Sequence, residues 1–166
     1  MLIRRLTPAD ASAFQALRLF ALRECATAFS SSYEEECDTP LPVIEAYFGP
    51  DSGRHFFGAF EGEQLAGMIG VGREAMRKVM HKASIRGMYV APEHRAQGVG
   101  KLLLDAALAF IATQGGVRQL GLTVTADNAA ALALYKANGF REYGREPAGL
   151  CIDGVMYDNV HMVRPF

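Results

Sequence analysis

The sequence predicts a mixed α/β domain, a sheet of about seven strands with helices on both faces. Three observations predict it. Short period-two apolar runs alternate with longer segments of helical spacing, in the order strand, two helices, three strands, helix, strand, helix, two strands. An apolar strand over 83–90 feeds a glycine-bearing loop that opens a helix. A second apolar strand over 120–125 runs into Asn128 and another helix that Gly139 stops. The 166 residues suit one domain with one sizeable core.

Residues 2–6 form a short edge-like strand. Thr7, Pro8 and Asp10 start a helix, with a threonine cap, proline at the first helical position and an acid in the first turn. Phe14, Leu17 and Ala21 share one helix face, Leu22 and Cys25 follow, and the helix frays near Thr27. Residues 29–33 are a polar-aromatic loop, and Glu34, Glu35 and Glu36 are an acidic run. Pro40 and Pro42 punctuate the chain before a short helix over 43–48, which a turn at 49–53 ends. Strands at 55–60 and 65–72 flank a tight turn at 61–63, and a basic connection at 76–82 leads to the strand at 83–90. After the central helix, with Val99, Leu102, Leu103, Ala106 and Phe110 as its apolar stripe, Gly115 and Gly116 end it. A helix over 129–138 comes next, then a strand beginning at 140–143. Asp153-Gly154 is a hairpin turn before a last strand at 155–163.

Composition narrows the function classes. Half of the residues are apolar, about a fifth are charged, and the net charge is −1, as expected of a soluble globular protein and not of a general nucleic-acid or anionic-membrane binder. No run approaches a membrane span, and residues 1–5 lack the apolar core of a signal peptide. Cys25, Cys37 and Cys151 read as reduced thiols of a cytoplasmic protein. His55, His81, His94 and His161 show no metal-ligand spacing, so no metal is expected, and His94 is read as exposed.

The loop Arg95-Ala96-Gln97-Gly98-Val99-Gly100-Lys101 carries the chemistry. A helix N-terminus presents free N–H groups and the positive end of the helix dipole, which together bind phosphate or pyrophosphate. The loop departs from the P-loop, because Leu102 follows Lys101. It departs from the dinucleotide fingerprint, because no third glycine follows Gly100. Its form, Arg95-x-x-Gly98-x-Gly100, resembles the acyl-CoA loop of the GNAT family of N-acetyltransferases: Arg or Gln, two free positions, Gly, one free position, Gly or Ala. The stretch 122–140 resembles that family's second motif, with Asn128 opening a helix, Tyr135 seven residues on, and Gly139-Phe140 at the end. Two helical turns separate Asn128 from Tyr135 and put them on one face.

The resemblance covers nearly the whole chain, 1–166, as a single N-acetyltransferase domain. It implies a mostly antiparallel sheet with a cofactor cleft splayed between the fourth and fifth strands. Acetyl-CoA is then the co-substrate and an amine, on a small molecule or a protein, the acceptor, attacked directly in a ternary complex. The backbone N–H groups from Gln97 to Lys101 serve the pyrophosphate. Met88, Tyr89 and Val90 present the strand backbone to the pantetheine arm, and the Val90 N–H faces the thioester carbonyl. Arg95 and Lys101 either add charge at the phosphates or face solvent. Asn128 contacts the CoA arm, and Tyr135 is the general acid to the thiolate. The base that takes the amine's proton is left among Glu34, Glu35, Glu36, Glu74 and water, and the acidic run is also able to attract a cationic acceptor. A rival is an acyl-CoA sensor without turnover. Homodimers are common in the family, and the hairpin at 153–154 is a candidate contact.

Overall fold

A computed structural model describes the chain from Met1 to Phe166 apart from Asp51, one residue of the turn expected at 49–53. Seven strands form one sheet: β1 (Leu2–Arg5), β2 (Arg54–Glu61), β3 (Gln64–Arg73), β4 (Lys82–Val90), β5 (Gln119–Thr125), β6 (Arg141–Ile152) and β7 (Val155–Pro165). Their spatial order is β1-β2-β3-β4-β5-β7-β6, and only the β4–β5 pair is parallel. The helices are α1 (Ala11–Glu24), α2 (Tyr33–Glu36), α3 (Leu41–Ala46), α4 (Val99–Ala112) and α5 (Ala129–Ala137).

Helices α1 to α3 cover one face, where Phe14, Phe48 and Phe56 meet edge to face with centroids 5.2–5.5 Å apart. Helices α4 and α5 cover the other, over a core that includes Ile69, Leu103, Leu104, Leu120 and Met162. The start of α1 is fixed locally. Asp10 accepts the Thr7 N–H at 2.8 Å and grips the Arg4 guanidinium at 2.7 and 2.8 Å, which ties the helix to β1.

Three expectations are corrected. The acidic run does not lie in a loop: Ser32 caps it, exchanging hydrogen bonds with Glu35, and the run becomes the one-turn helix α2. This makes three helices before β2. The stripe of α4 is Val99, Leu103, Leu104, Ala107 and Ile111, whereas Leu102 is exposed. With leucine at 102, 103 and 104, adjacent phases are equally apolar, and docking on the sheet selects one. His94 is buried, with Nε2 3.7 Å from Glu61, because the turn Pro92–His94 folds it under the loop.

Candidate active site

The site starts from a defect in β4. Tyr89 pairs with Met68 and Arg86 with Gly70, so Gly87 and Met88 together oppose the single residue Ile69. Gly87 has φ +60°, which a side chain resists. Such a bulge bends a strand and increases its twist. Accordingly, β4 and β5 pair only from Lys82 to Ser84 and then part, while β5 continues along β7. A cleft of about 1020 Å³ opens at this splay. Ser84, Arg86 and Met88 of β4, Thr123 and Thr125 of β5, and Asn128 and Tyr135 of α5 line it.

The loop expected to hold phosphate lies where β4 ends. Ala96 (φ +59°) and Gly98 (φ +79°) are both left-handed, and α4 begins at Val99. The curl leaves the backbone N–H groups of Ala96, Gln97, Gly98, Val99, Gly100 and Lys101 without an acceptor among the described residues. Free N–H groups curled at a helix N-terminus have the geometry that suits an anion. A Cβ on Gly100 would sit 3.3 Å from the Met88 methyl and 3.4 Å from a Leu134 methyl, so glycine lets α4 close against β4 and α5. The side chains of this loop are already engaged. Lys101 pairs with Asp105 at 2.6 Å, and Gln97 donates to the Glu93 carbonyl at 2.8 Å.

Arg95 is partly exposed, but its hydrogen bonds run beneath β4 and not into the loop. Its guanidinium grips the Glu24 carboxylate at 2.6 and 3.0 Å and donates through Nε to the Val90 carbonyl at 2.9 Å. Tyr89 turns its side chain to the α1 face and donates to the same carboxylate at 2.7 Å. Arg95 and Tyr89 hold the Glu24 carboxyl below its usual range against the opposing effect of burial. The triad pins the end of β4 to the end of α1. Sequence reasoning missed Glu24: it lies 71 positions from Arg95, and nothing local marks it.

Within the splay, the buried Tyr135 hydroxyl donates to the Met88 sulfur at 3.3 Å. Burial pushes its pKa up to about 12. A thioether is a weak acceptor, so this hydroxyl is protonated and loosely committed. Asn128 caps α5, its Oδ1 accepting the Ala131 N–H at 3.1 Å, and shares the cleft with Tyr135 as their spacing requires.

The candidate bases separate. Glu35, Glu36 and Glu74 line the cleft. Glu35 is held in the α2 cap. Glu34 is exposed and lies outside the lining. Glu36 binds Arg18 at 2.7 and 2.9 Å and accepts from Ser31 at 2.5 Å. Burial raises its carboxyl, but Arg18 and Ser31 outweigh that and leave it lowered. Glu74 stands 3.8 Å from Arg86. Sequence reasoning also missed Arg18, which stacks over Phe29 with its Cζ 4.3 Å from the ring centroid. The acidic run gives the cleft no net negative field: Arg18, Arg54, Arg73, Lys82 and Arg86 share its lining with Glu35, Glu36 and Glu74.

The chain and its fold are similar to those of known proteins. The model of the acetyltransferase (GNAT) family matches residues 19–140. The chain belongs to the GNAT family of acetyltransferases. It is 37% identical over 90 residues to the N-alpha-acetyltransferase RimI of Mycobacterium tuberculosis, covering 54% of each chain. It is 31% identical over 121 residues to a putative phosphinothricin acetyltransferase, YwnH, of Bacillus subtilis, covering 72% of this chain and 74% of that one. The match spans about half the length of the RimI relative. Among solved structures, a GNAT-family acetyltransferase from Streptococcus pneumoniae superposes with a TM-score of 0.88 at 25% identity, covering 99% of both chains. An acetyltransferase of Salmonella typhimurium, solved with its cofactor acetyl-CoA, shares the fold with a TM-score of 0.82 at 21% identity, covering 99% of this chain and 93% of that one.

Proposed function

We propose that the protein moves an acetyl group from acetyl-CoA to a primary amine, on a small molecule or a protein, by direct attack in a ternary complex. One observation carries the reading. An N–H-rich loop follows the splayed half of β4, and a buried, protonated tyrosine hydroxyl contacts Met88 within that half. Acetyl-CoA supplies an activated thioester at one end and a pyrophosphate at the other.

The residues divide the work accordingly. The N–H groups of Ala96 to Lys101 donate to the pyrophosphate. The backbone edge of Met88, Tyr89 and Val90 binds the amide arm as an added strand would. Asn128 borders that arm from α5. Arg95 serves from beneath: through Glu24 and the Val90 carbonyl it fixes the direction in which β4 leaves the sheet. Tyr135 gives its proton to the departing sulfur. A thiol has a pKa of about 8.5, so transfer from a phenol at about 12 depends on concerted bond breaking, and the hydroxyl is loaded with its proton at every working pH.

The RimI relative is by name an N-alpha-acetyltransferase, and YwnH by name a putative phosphinothricin acetyltransferase; both names imply an amine acceptor. The free cysteines Cys25, Cys37 and Cys151 agree with a reducing, cytoplasmic setting. The hairpin around Gly154 exposes Val155 and Met156 and is our candidate for self-association, which sedimentation of the purified protein tests.

The decisive experiment is release of free thiol from acetyl-CoA in the presence of a panel of amines: amino acids, peptides with free N-termini, and polyamines. Turnover confined to one class supports the reading and names the acceptor. Tight acetyl-CoA binding without turnover by any amine replaces it with an acyl-CoA sensor. Absence of binding removes it.

A further inference from the structure

A chain of hydrogen bonds runs from the lining of the cleft to side chains beside it. On the face covered by α1 to α3, Thr123 of β5 lies opposite His161 of β7, and Glu146 of β6 lies opposite Asn159, two residues from His161. The Thr123 hydroxyl is 3.1 Å from His161 Nδ1, and His161 Nε2 is 3.2 Å from Glu146 Oε2. Asn159, itself buried, stands 3.5 Å from the same carboxylate oxygen. Thr123 and Asn159 line the cleft. A carboxylate only accepts, so Nε2 carries the hydrogen, and in the neutral imidazole Nδ1 then accepts from the threonine hydroxyl. The threonine oxygen then has its lone pairs free at the cleft.

We infer that Thr123, His161 and Glu146 form the relay that takes the proton from the acceptor's ammonium group. The inference builds on the acetyltransferase reading and supplies the base that reading lacks. As the ammonium N–H bond breaks, an O–H bond forms on Thr123, whose own proton passes to His161 Nδ1. The imidazolium so formed faces Glu146, and the amine is left with the lone pair it needs to attack. Thr123 touches the amine, and His161 acts through it. Glu146 is a positioning residue, setting the imidazole tautomer as orienting carboxylates do elsewhere.

The neighbours of His161 fit this role. Glu146 and the Tyr143 ring, with centroids 6.1 Å apart from the imidazole, face it from β6. The uncharged Thr123 faces it from β5, and Lys82 and Arg86 of β4 line the same cleft. The three other candidate carboxylates of the cleft are tied to Arg18, to the α2 cap and to the neighbourhood of Arg86. This chain offers the only imidazole among the described residues that is hydrogen-bonded to a cleft hydroxyl.

The test compares two acceptors with the intact protein and with His161→Gln and Thr123→Val. One acceptor is an amine of pKa about 10; the other has a pKa below about 6 and is neutral at pH 7. Only the first must give up an ammonium proton before it attacks. Each variant should lower kcat/KM for the basic amine by about tenfold or more, with its pH profile shifted toward the amine's own pKa, and cost the neutral acceptor several-fold less. Far-ultraviolet circular dichroism reports on folding of each variant. Equal losses for both acceptors, or no loss for the basic one, overturn the relay while leaving the acetyltransferase reading intact. An unaltered protein that turns over no amine overturns both.

Discussion

Replacing Tyr135 with phenylalanine separates the proposed catalytic role from stability. The substitution removes one oxygen and keeps the ring, which packs against Phe140 at a centroid distance of 5.6 Å. The lost hydrogen bond runs to the Met88 sulfur at 3.3 Å. A neutral hydrogen bond contributes about 1 kcal/mol net, a thioether acceptor gives less, and removing the hydroxyl also removes the cost of burying it. The folded state should therefore change by less than about 1 kcal/mol in either direction. The rate has much more to lose. If the hydroxyl delivers the proton to the departing sulfur, turnover falls by about a hundredfold or more, some 2.7 kcal/mol at the barrier. Urea denaturation gives the first quantity, and thiol release at saturating acetyl-CoA gives the second. A variant that unfolds more than about 2 kcal/mol too easily would make Tyr135 a structural residue. A variant that turns over at the normal rate would remove it from the mechanism.

Other consequences follow from the same coordinates. Burial raises the Tyr135 pKa to about 12, against about 10 in the unfolded chain. Stability is therefore full below pH 10 and declines as pH rises toward 12, by about 2–3 kcal/mol from this group; thermal melts should show that alkaline loss reduced in Tyr135→Phe. Asp10→Asn breaks the Arg4 bridge and weakens the cap of α1, costing about 1–2 kcal/mol in denaturant. The Arg4 hydrogen bonds hold the Asp10 carboxyl well below the ordinary carboxylate range, so the native protein keeps this contribution above about pH 4 and loses it on further acidification, and the variant has less to lose. Arg95→Met cuts the link between β4 and Glu24; with both side chains partly exposed, the expected cost is about 1–2 kcal/mol. A double-mutant cycle with Glu24→Gln should recover part of it as coupling. Gly98→Val forces a β-branched residue to φ +79° at the mouth of the anion loop, costing about 1–2 kcal/mol. It should also weaken acetyl-CoA binding by calorimetry, and unchanged affinity would count against this loop as the phosphate site.

Much of this protein is written locally in its sequence. Thr7 and Asp10, Asn128 and Ala131, and the Asp153-Gly154 turn, with φ +49° and +80°, each act within a few residues. Caps and turns of that kind are set by backbone chemistry that neighbouring residues supply. For that reason the order of strands and helices, the glycine loop before α4, and the shared face of Asn128 and Tyr135 were legible from the chain alone. The weaker signals failed where sequence allowed two answers: the leucines at 102, 103 and 104 left the phase of α4 open, and the acidic run hid a one-turn helix capped by Ser32.

The tertiary structure decided what depends on groups far apart in the chain. The bulge at Gly87 and Met88 exists only against β3, and it is what parts β4 from β5 and opens the cleft. Arg95 reads in the sequence as the first position of the glycine-loop motif; Glu24 and the Val90 carbonyl make it the strut beneath β4. Glu36 reads as a solvated acid until Arg18 meets it across 18 positions, and His161 as a lone histidine until Thr123 and Glu146 flank it from two other strands. Hydrogen bonds and charge pairs act only over a few ångströms. Composition and periodicity carry no record of which distant side chains the sheet will bring within that range.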